Sequence, residues 1–364
     1  LSSANVLKLA SSMTSQPVTE LESDYALSAY DYELPSDRIA QDPVTPRDAS
    51  KLLIIDSERI LHHQHFYDLP NFLRSGDLLV FNNTKVIPAR MYGHKQSGVP
   101  VEILLMEPIG LDRWLALVKP GKRLPIGSTI IFAENVTATV EGIETTTRAR
   151  ELQFHIPIDA DLDKIIEQLG KLPLPPYVTD SHVDPDRYQT IYADISGAIA
   201  APTAGLHFTE ELFSKLANQG VDKAFVTLHV GIGTFRPVET EDITQHVMHN
   251  EWCEVSEATN AKIKETKANG GRVIGVGSTV ARSLESANFQ AFKGKTNLMI
   301  YPGFEWKVLD GLVTNFHLPK STLLMMVSSF LGKDGREFLM SAYQTAIAKE
   351  YRFYSFGDAM FIEK

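Results

Sequence analysis

Cys253 is the only cysteine among the 364 residues, so neither an internal disulfide nor a cysteine zinc centre can assemble, which fits a reducing compartment. Long apolar runs are missing too. No stretch nears the roughly 18 to 20 residues that a membrane helix requires, so a cytoplasmic protein without a membrane partner is expected. Positive charge is in deficit, 35 Lys and Arg against 45 Asp and Glu, and the net charge of −10 excludes adhesion to nucleic acid through bulk charge. Any RNA contact must use a local patch. The chain also lacks a G-x-S-x-G elbow, a Walker A loop and an H-E-x-x-H helix, which removes the common hydrolase, NTPase and zinc-protease readings.

Hydrophobic residues make up 43% of the chain, enough for real cores, and the length exceeds one typical domain. Residues 1–23 are expected to be a tail or non-native remnant outside the fold. From 77 to 156, short β-rich runs (LLVF, VEILLM, WLALV, STIIF, ELQFHI) alternate with Gly, Pro or charged turns, the pattern of an antiparallel β-barrel. Past the proline-rich LPLPPYV, strands alternate with helices. FVTLHV, RVIGVG, NLMIYPG and GLVTNFH read as strands, and Thr209, Ser256 and Ser321 as helix caps. The expected fold is α/β, a mostly parallel sheet sandwiched by helices and built from residues 24–76 and 157–364, with the barrel of 77–156 inserted.

Several polar groups sit where chemistry is done. In AAPTAGLHFTEEL, Thr203, Gly205 and His207 precede a helix start, where free N–H groups suit an anion and a glycine admits a ligand, although a packed histidine beside a cap explains the string equally well. LHVGIGTFRP carries His229, Gly233 and Arg236 past a strand end, and GVGSTVARSLES carries Thr279 and Arg282. Val280 stands where a dinucleotide fingerprint needs its third glycine, so a Rossmann cofactor is unsupported. Arg282 and Glu285 have the spacing of an ordinary helix ion pair. NFHLPKST contributes Asn315, His317 and Lys320, the lysine in a first helical turn that the helix dipole disfavours. In HVMHNE, His246, His249 and Glu251 lack the i, i+4 spacing of a zinc helix, and no metal is expected; HHQHF reads as solvated surface. Lys119, Lys122 and Arg123 in KPGKR form the densest basic cluster, on an exposed turn.

Taken with YELPSDRIAQDP, FNNTKVIPAR, YPGFEWKVLDGLVTNFHLPKSTLLM and YSFGDAMFI, these strings resemble one family over nearly the whole chain: the S-adenosylmethionine:tRNA ribosyltransferase-isomerases of queuosine biosynthesis. Val280 and Ala281 replace a Ser-Val pair usual in that family. The resemblance implies an α/β sandwich with an inserted barrel. It also implies transfer and isomerisation of a ribosyl group onto 7-aminomethyl-7-deazaguanine in the tRNA anticodon, giving epoxyqueuosine, adenine and methionine. S-adenosylmethionine would be a consumed co-substrate, with no other cofactor, and the enzyme is expected to be a monomer. Such chemistry needs a base for the acidic C5′ proton, an acid at adenine, alkoxide stabilisation and a seat for the sulfonium. His207 and His317 are the candidate acid and base, and Glu251 the carboxylate facing the sulfonium. Arg236 and the amides near Gly205 would serve an anion, and Arg90, Lys119, Lys122 and Arg123 the tRNA phosphates. A tRNA methyltransferase or a non-catalytic RNA-binding module are the rival readings.

Overall fold

The computed structural model describes residues 23–145, 147–175, 177–178, 184–231 and 238–364. Four strands come first: β1 (Lys51–Ile55), β2 (Leu61–His65), β3 (Leu78–Asn82) and β4 (Thr84–Val86). In β1, Leu52 and Ile54 enter one core while Leu53 and Ile55 enter another; β3 splits the same way, Leu79 and Phe81 against Leu78 and Val80. Side chains alternate across a strand, so a run that is apolar on both faces must be covered on both.

The barrel strands follow: β5 (Arg90–His94), β6 (Pro100–Gly110), β7 (Arg113–Lys119), β8 (Thr129–Ala133), β9 (Val136–Ile143) and β10 (Arg150–His155). They close in the order β10-β7-β6-β5-β8-β9, every pairing antiparallel. Burial in β9 alternates residue by residue, as one face turns to the barrel interior and the other to water. Helix α1 (Leu162–Leu169) adds Leu162 and Ile166 to the barrel core.

The chain returns through β11 (Ile195–Ala198), which pairs in parallel with β4, and continues through α2 (Glu210–Asn218), β12 (Asp222–Leu228), β13 (Glu251–Val255) and α3 (Glu257–Ala268). Then come β14 (Val273–Val276), α4 (Ser278–Ala287), β15 (Phe292–Thr296), β16 (Gly311–Asn315), α5 (Thr322–Phe330), α6 (Gly335–Ala348) and β17 (Ala359–Glu363). The nine-stranded sheet runs β15-β13-β12-β3-β14-β16-β17-β1-β2. Its centre, β12-β3-β14-β16, is parallel, as expected, while antiparallel pairings at both flanks make the whole sheet mixed. One face is covered by α2 and the turn Phe66–Phe72, the other by α3 to α6. No helix among the described residues is long and apolar enough to cross a membrane.

All three expected caps form: Thr209, Ser256 and Ser321 accept from the N–H of Leu212, Thr259 and Leu324 at 3.1, 3.1 and 3.2 Å. The domain border differs from the sequence reading. LLVF lies in the centre of the large sheet as β3, because every residue of β3 is buried, which no barrel strand shows. NLMIYPG, expected as a strand, lies beyond β15 in irregular backbone.

Candidate functional site

The C-terminal ends of the parallel strands in an open α/β sheet are the usual seat of a ligand. Three adjoining hollows lie there. A cleft of about 770 Å3 is lined by Thr203, Ser278, Thr279, Asn315, His317 and the ring of Tyr354, among others. A second hollow, about 690 Å3, shares Ser278, Thr279 and Leu323 with it and adds Glu251 and Arg282. The third, about 1640 Å3, reaches from Val230 and Glu251 to Met106 and Glu107 of the barrel.

Two helices start on the cleft. Gly277 has φ 95° and ψ 157°, a conformation left almost entirely to glycine, and it turns β14 into α4 so that Ser278 and Thr279 open the helix at the cleft wall. Ser321 opens α5 on the same cleft. Unpaired N–H groups and the positive ends of two helix dipoles therefore favour an anion or developing negative charge there.

His207 is buried with both ring nitrogens engaged, Nδ1 2.7 Å from Ser50 Oγ and Nε2 3.1 Å from Asn315 Nδ2, and its ring stacks on Phe66 with centroids 4.8 Å apart. An amide nitrogen only donates, so Nε2 accepts and the ring proton sits on Nδ1, donated to Ser50. The amide's orientation is fixed because Asn315 Oδ1 accepts from Thr203 Oγ1 at 2.8 Å while Nδ2 also reaches the Asp358 carbonyl at 3.4 Å. Burial first, and the Arg352 charge second, push the imidazole down to about 3, so it is neutral at physiological pH. His207 does not line the cleft. Both nitrogens of the expected acid or base are thus engaged by protein groups.

A β-carbon at Gly205 would lie 1.9 Å from Tyr192 Oη, so the glycine leaves room for that tyrosine. His317 does line the cleft. Its Nε2 is 2.8 Å from Thr314 Oγ1, Nδ1 has no hydrogen bond among the described residues, and burial pushes the ring down to about 3. His229 belongs to the hollow beside the barrel, with Nδ1 2.9 Å from Thr84 Oγ1 and its ring stacked on Trp252; burial holds it below the usual imidazole value.

Glu251 is ion-paired with Arg282 Nη1 in a buried contact and accepts the Gly231 N–H at 3.0 Å. Arg282 Nε donates to the Leu298 carbonyl at 2.9 Å, leaving Nη2 buried and unpartnered among the described residues. The Arg282–Glu285 pair suggested by spacing does not form. Glu285 instead accepts the N–H groups of Lys307, Val308 and Leu309 at 3.0, 3.0 and 3.1 Å. His246 and His249 share the second hollow with Glu251 in non-helical chain, and no metal-holding group of His, Cys, Asp or Glu occurs among the described residues.

Lys320 does not reach the cleft: its φ is 56° and its Nζ pairs with Asp31 at 2.7 Å on the surface. Gly233 and Arg236 lie outside the described residues. On the barrel, Lys119, Lys122 and Arg123 are exposed. Their turn is held by buried Arg150, which donates to the carbonyls of Gly121 and Leu124, both at 2.8 Å. Arg90 is half-buried and ion-paired with Glu102. Tyr177 and Tyr354, stacked 4.5 Å apart on the cleft, were not singled out from sequence; LPLPPYV read as a linker, and the aromatic side chain within it was the available signal.

Residues 27–362 match the family described as Queuosine biosynthesis protein. The S-adenosylmethionine:tRNA ribosyltransferase-isomerase of Nostoc sp. (strain PCC 7120) is 53% identical to this chain, the match covering 98% of it and 97% of the relative. That of Moorella thermoacetica is 48% identical, covering 92% and 99%. A crystal structure of S-adenosylmethionine tRNA ribosyltransferase from Thermotoga maritima aligns with a TM-score of 0.53 at 38% identity, covering 92% of this chain and 99% of that one.

Gly205→Ala is expected to cost about 1–3 kcal/mol in urea unfolding, as overpacking does, and Tyr192→Phe in the same chain should recover part of it; an unaffected single variant would refute the contact. The buried imidazoles also set a pH dependence. Their native values, about 3, lie below the 6.5 of an ordinary histidine, so below pH 6.5 the unfolded chain binds protons that the fold refuses. Stability is complete above that value and is lost as pH falls toward 3. Thermal midpoints should drop from pH 7 to 4, with a shallower drop in His317→Asn; equal slopes would show that the ring is not buried in its neutral form.

Proposed function

Since the chain belongs to the Queuosine biosynthesis protein family, whose named relatives are S-adenosylmethionine:tRNA ribosyltransferase-isomerases, we propose that it transfers and isomerises the ribosyl group of S-adenosylmethionine onto 7-aminomethyl-7-deazaguanine at the tRNA wobble position. The products are epoxyqueuosine in tRNA, adenine and methionine. The balance closes without an external oxidant or reductant, so the sulfonium co-substrate supplies the whole driving reactivity.

The observation that carries this reading is the continuity of the cleft with the hollow against the barrel, which offers one space for a small sulfonium ligand and a nucleotide presented from outside. The start of α4 and Arg282 Nη2, unpartnered among the described residues, suit the methionyl carboxylate. The Glu251 carboxylate lends negative potential toward the sulfonium, and the stacked rings of Tyr177 and Tyr354 offer a face to a cation or a purine. His317 serves as base for the C5′ proton: it lines the cleft, and its Nδ1 has no hydrogen bond among the described residues. His207 acts through Asn315 and Thr203, holding the cleft wall in one hydrogen-bonding pattern.

Incubation with ribose-labelled S-adenosylmethionine and the modified tRNA should place label in the nucleoside and release adenine and methionine in equal amounts. S-adenosylhomocysteine would establish a methyltransferase, and binding without turnover a non-catalytic module. In the same assay His317→Asn should lower kcat by about 100-fold or more with little change in KM, and wild-type turnover would remove the histidine from the mechanism. Lys122 and Arg123 lie on the barrel away from the Glu107 end of β6, suited to phosphates distant from the reacting base. Replacing both with Ala should reduce the salt slope of tRNA binding by about one to two while leaving kcat unchanged; an unaltered slope would exclude the patch.

A further inference from the structure

His207 borders a fourth, shallow recess, walled also by Arg47, Arg187, Leu206 and the Ser355–Gly357 turn. Ser355 is common to this recess and the cleft. Two guanidinium groups meet here. Arg47 donates from Nη1 to the Gln189 carbonyl at 2.7 Å and, more weakly, to that of Leu206 at 3.4 Å. Arg187 donates to Thr45 Oγ1 at 2.9 Å and to the Val44 carbonyl at 2.7 Å. Each acceptor is uncharged, and neither arginine has a carboxylate partner among the described residues. Arg187 Nε is buried and bonded to nothing among them.

Carbonyl oxygens orient a guanidinium but do not neutralise it, and like charges withdrawn from water repel more strongly than on the surface. The repulsion registers at Arg47, whose pKa is lowered first by burial and then by the Arg187 charge. Arg352 adds a third positive group, 3.8 Å from Asp358 and donating to the Phe356 carbonyl on the recess wall. Neutral acceptors thus hold the Nη groups of both arginines in place, and Arg187 Nε is the donor left over for an anion among the described residues.

We propose that Arg47 and Arg187 form a phosphodiester site that seats the RNA backbone next to the nucleotide entering the cleft. The assignment rests on the reading of the chain as a tRNA-modifying enzyme. A phosphodiester fits better than the methionyl carboxylate, because the hydrogen-bonded line from Thr203 through Asn315 and His207 to Ser50 stands between the recess and the cleft that takes the sulfonium. The chain's net charge of −10 also requires local positive sites for any RNA backbone.

Phenylglyoxal footprinting of the full-length wild-type protein tests the site directly, with adducts mapped by peptide mass. Modified tRNA should reduce the adduct at Arg187 and Arg47 several-fold, and S-adenosylmethionine alone should not. Unchanged adduct with tRNA, or equal protection by S-adenosylmethionine alone, would overturn the proposal, the second outcome giving the recess to the amino-acid carboxylate. Arg187→Gln should raise the KM for tRNA about tenfold and reduce the salt slope of tRNA binding by about 0.7 to 0.9, leaving the KM for S-adenosylmethionine unchanged. A lowered melting temperature with an unaltered salt slope would mean that the arginine only clasps two loops, which also overturns the proposal. Should that variant not fold, the wild-type footprint decides. Nucleoside analysis reads ribosyl transfer independently, so failure of the site and failure of the proposed reaction are separately visible.

Discussion

The Asn82 side chain makes four hydrogen bonds at the dry end of the central strands, and the cleft depends on them. Its Oδ1 accepts from the N–H of Thr84 and Leu228 at 3.1 and 3.0 Å; its Nδ2 donates to the Leu228 carbonyl at 2.9 Å and to Thr279 Oγ1 at 3.1 Å. One amide therefore fixes the end of β12, the exit of β3 toward the barrel and the first turn of α4. Any shorter side chain would strand buried donors and acceptors, at about 1–3 kcal/mol for each group left unpaired. The backbone turn at Gly277 is tolerable for the same reason: the surroundings over-determine it.

Charge is segregated around this frame. The Glu251–Arg282 pair lies on one side of the cleft, the Arg47 and Arg187 guanidinium groups on the other, and the wall between is polar but neutral, running Thr203, Asn315, His207, Ser50. A charged imidazole in that wall would sit buried within the field of Arg352. Burial keeps it neutral, and neutrality lets it accept from Asn315. The residue that draws the eye in the sequence thus lies within the wall, while the less conspicuous His317 lines the cleft.

Local grammar carried much of the fold. Ser256 and Ser321 before apolar-periodic runs, and the glycines after strands, specify helix starts through short-range hydrogen bonding that any observer of the sequence can count. β3 was misplaced because a run of apolar residues is the same string in a barrel wall and in a sheet centre, and only its partners, β12 and β14, tell them apart. Strand ends pointed to Thr279, Asn315 and His317, and all three line the cleft. Partnership did not follow from spacing: Arg282 chose Glu251, 31 positions away, over Glu285 on its own helix. Gly205 was read as an opening because the residue that fills it, Tyr192, is close in sequence but is brought there by the packing of Phe81 and Phe213.

The position of β3 also fixes an order of events during synthesis. Its neighbours β12 and β14 leave the ribosome roughly 140 and 190 residues later, a wait of about 7 to 40 s at ordinary elongation rates, during which two apolar faces have no sheet to join. The barrel is made in that interval, and its pairings connect neighbours in the chain far more closely than those of the large sheet. Assembly is therefore inside out: the inserted unit can close first, and the β4·β11 ladder then returns the growing chain to the waiting strand.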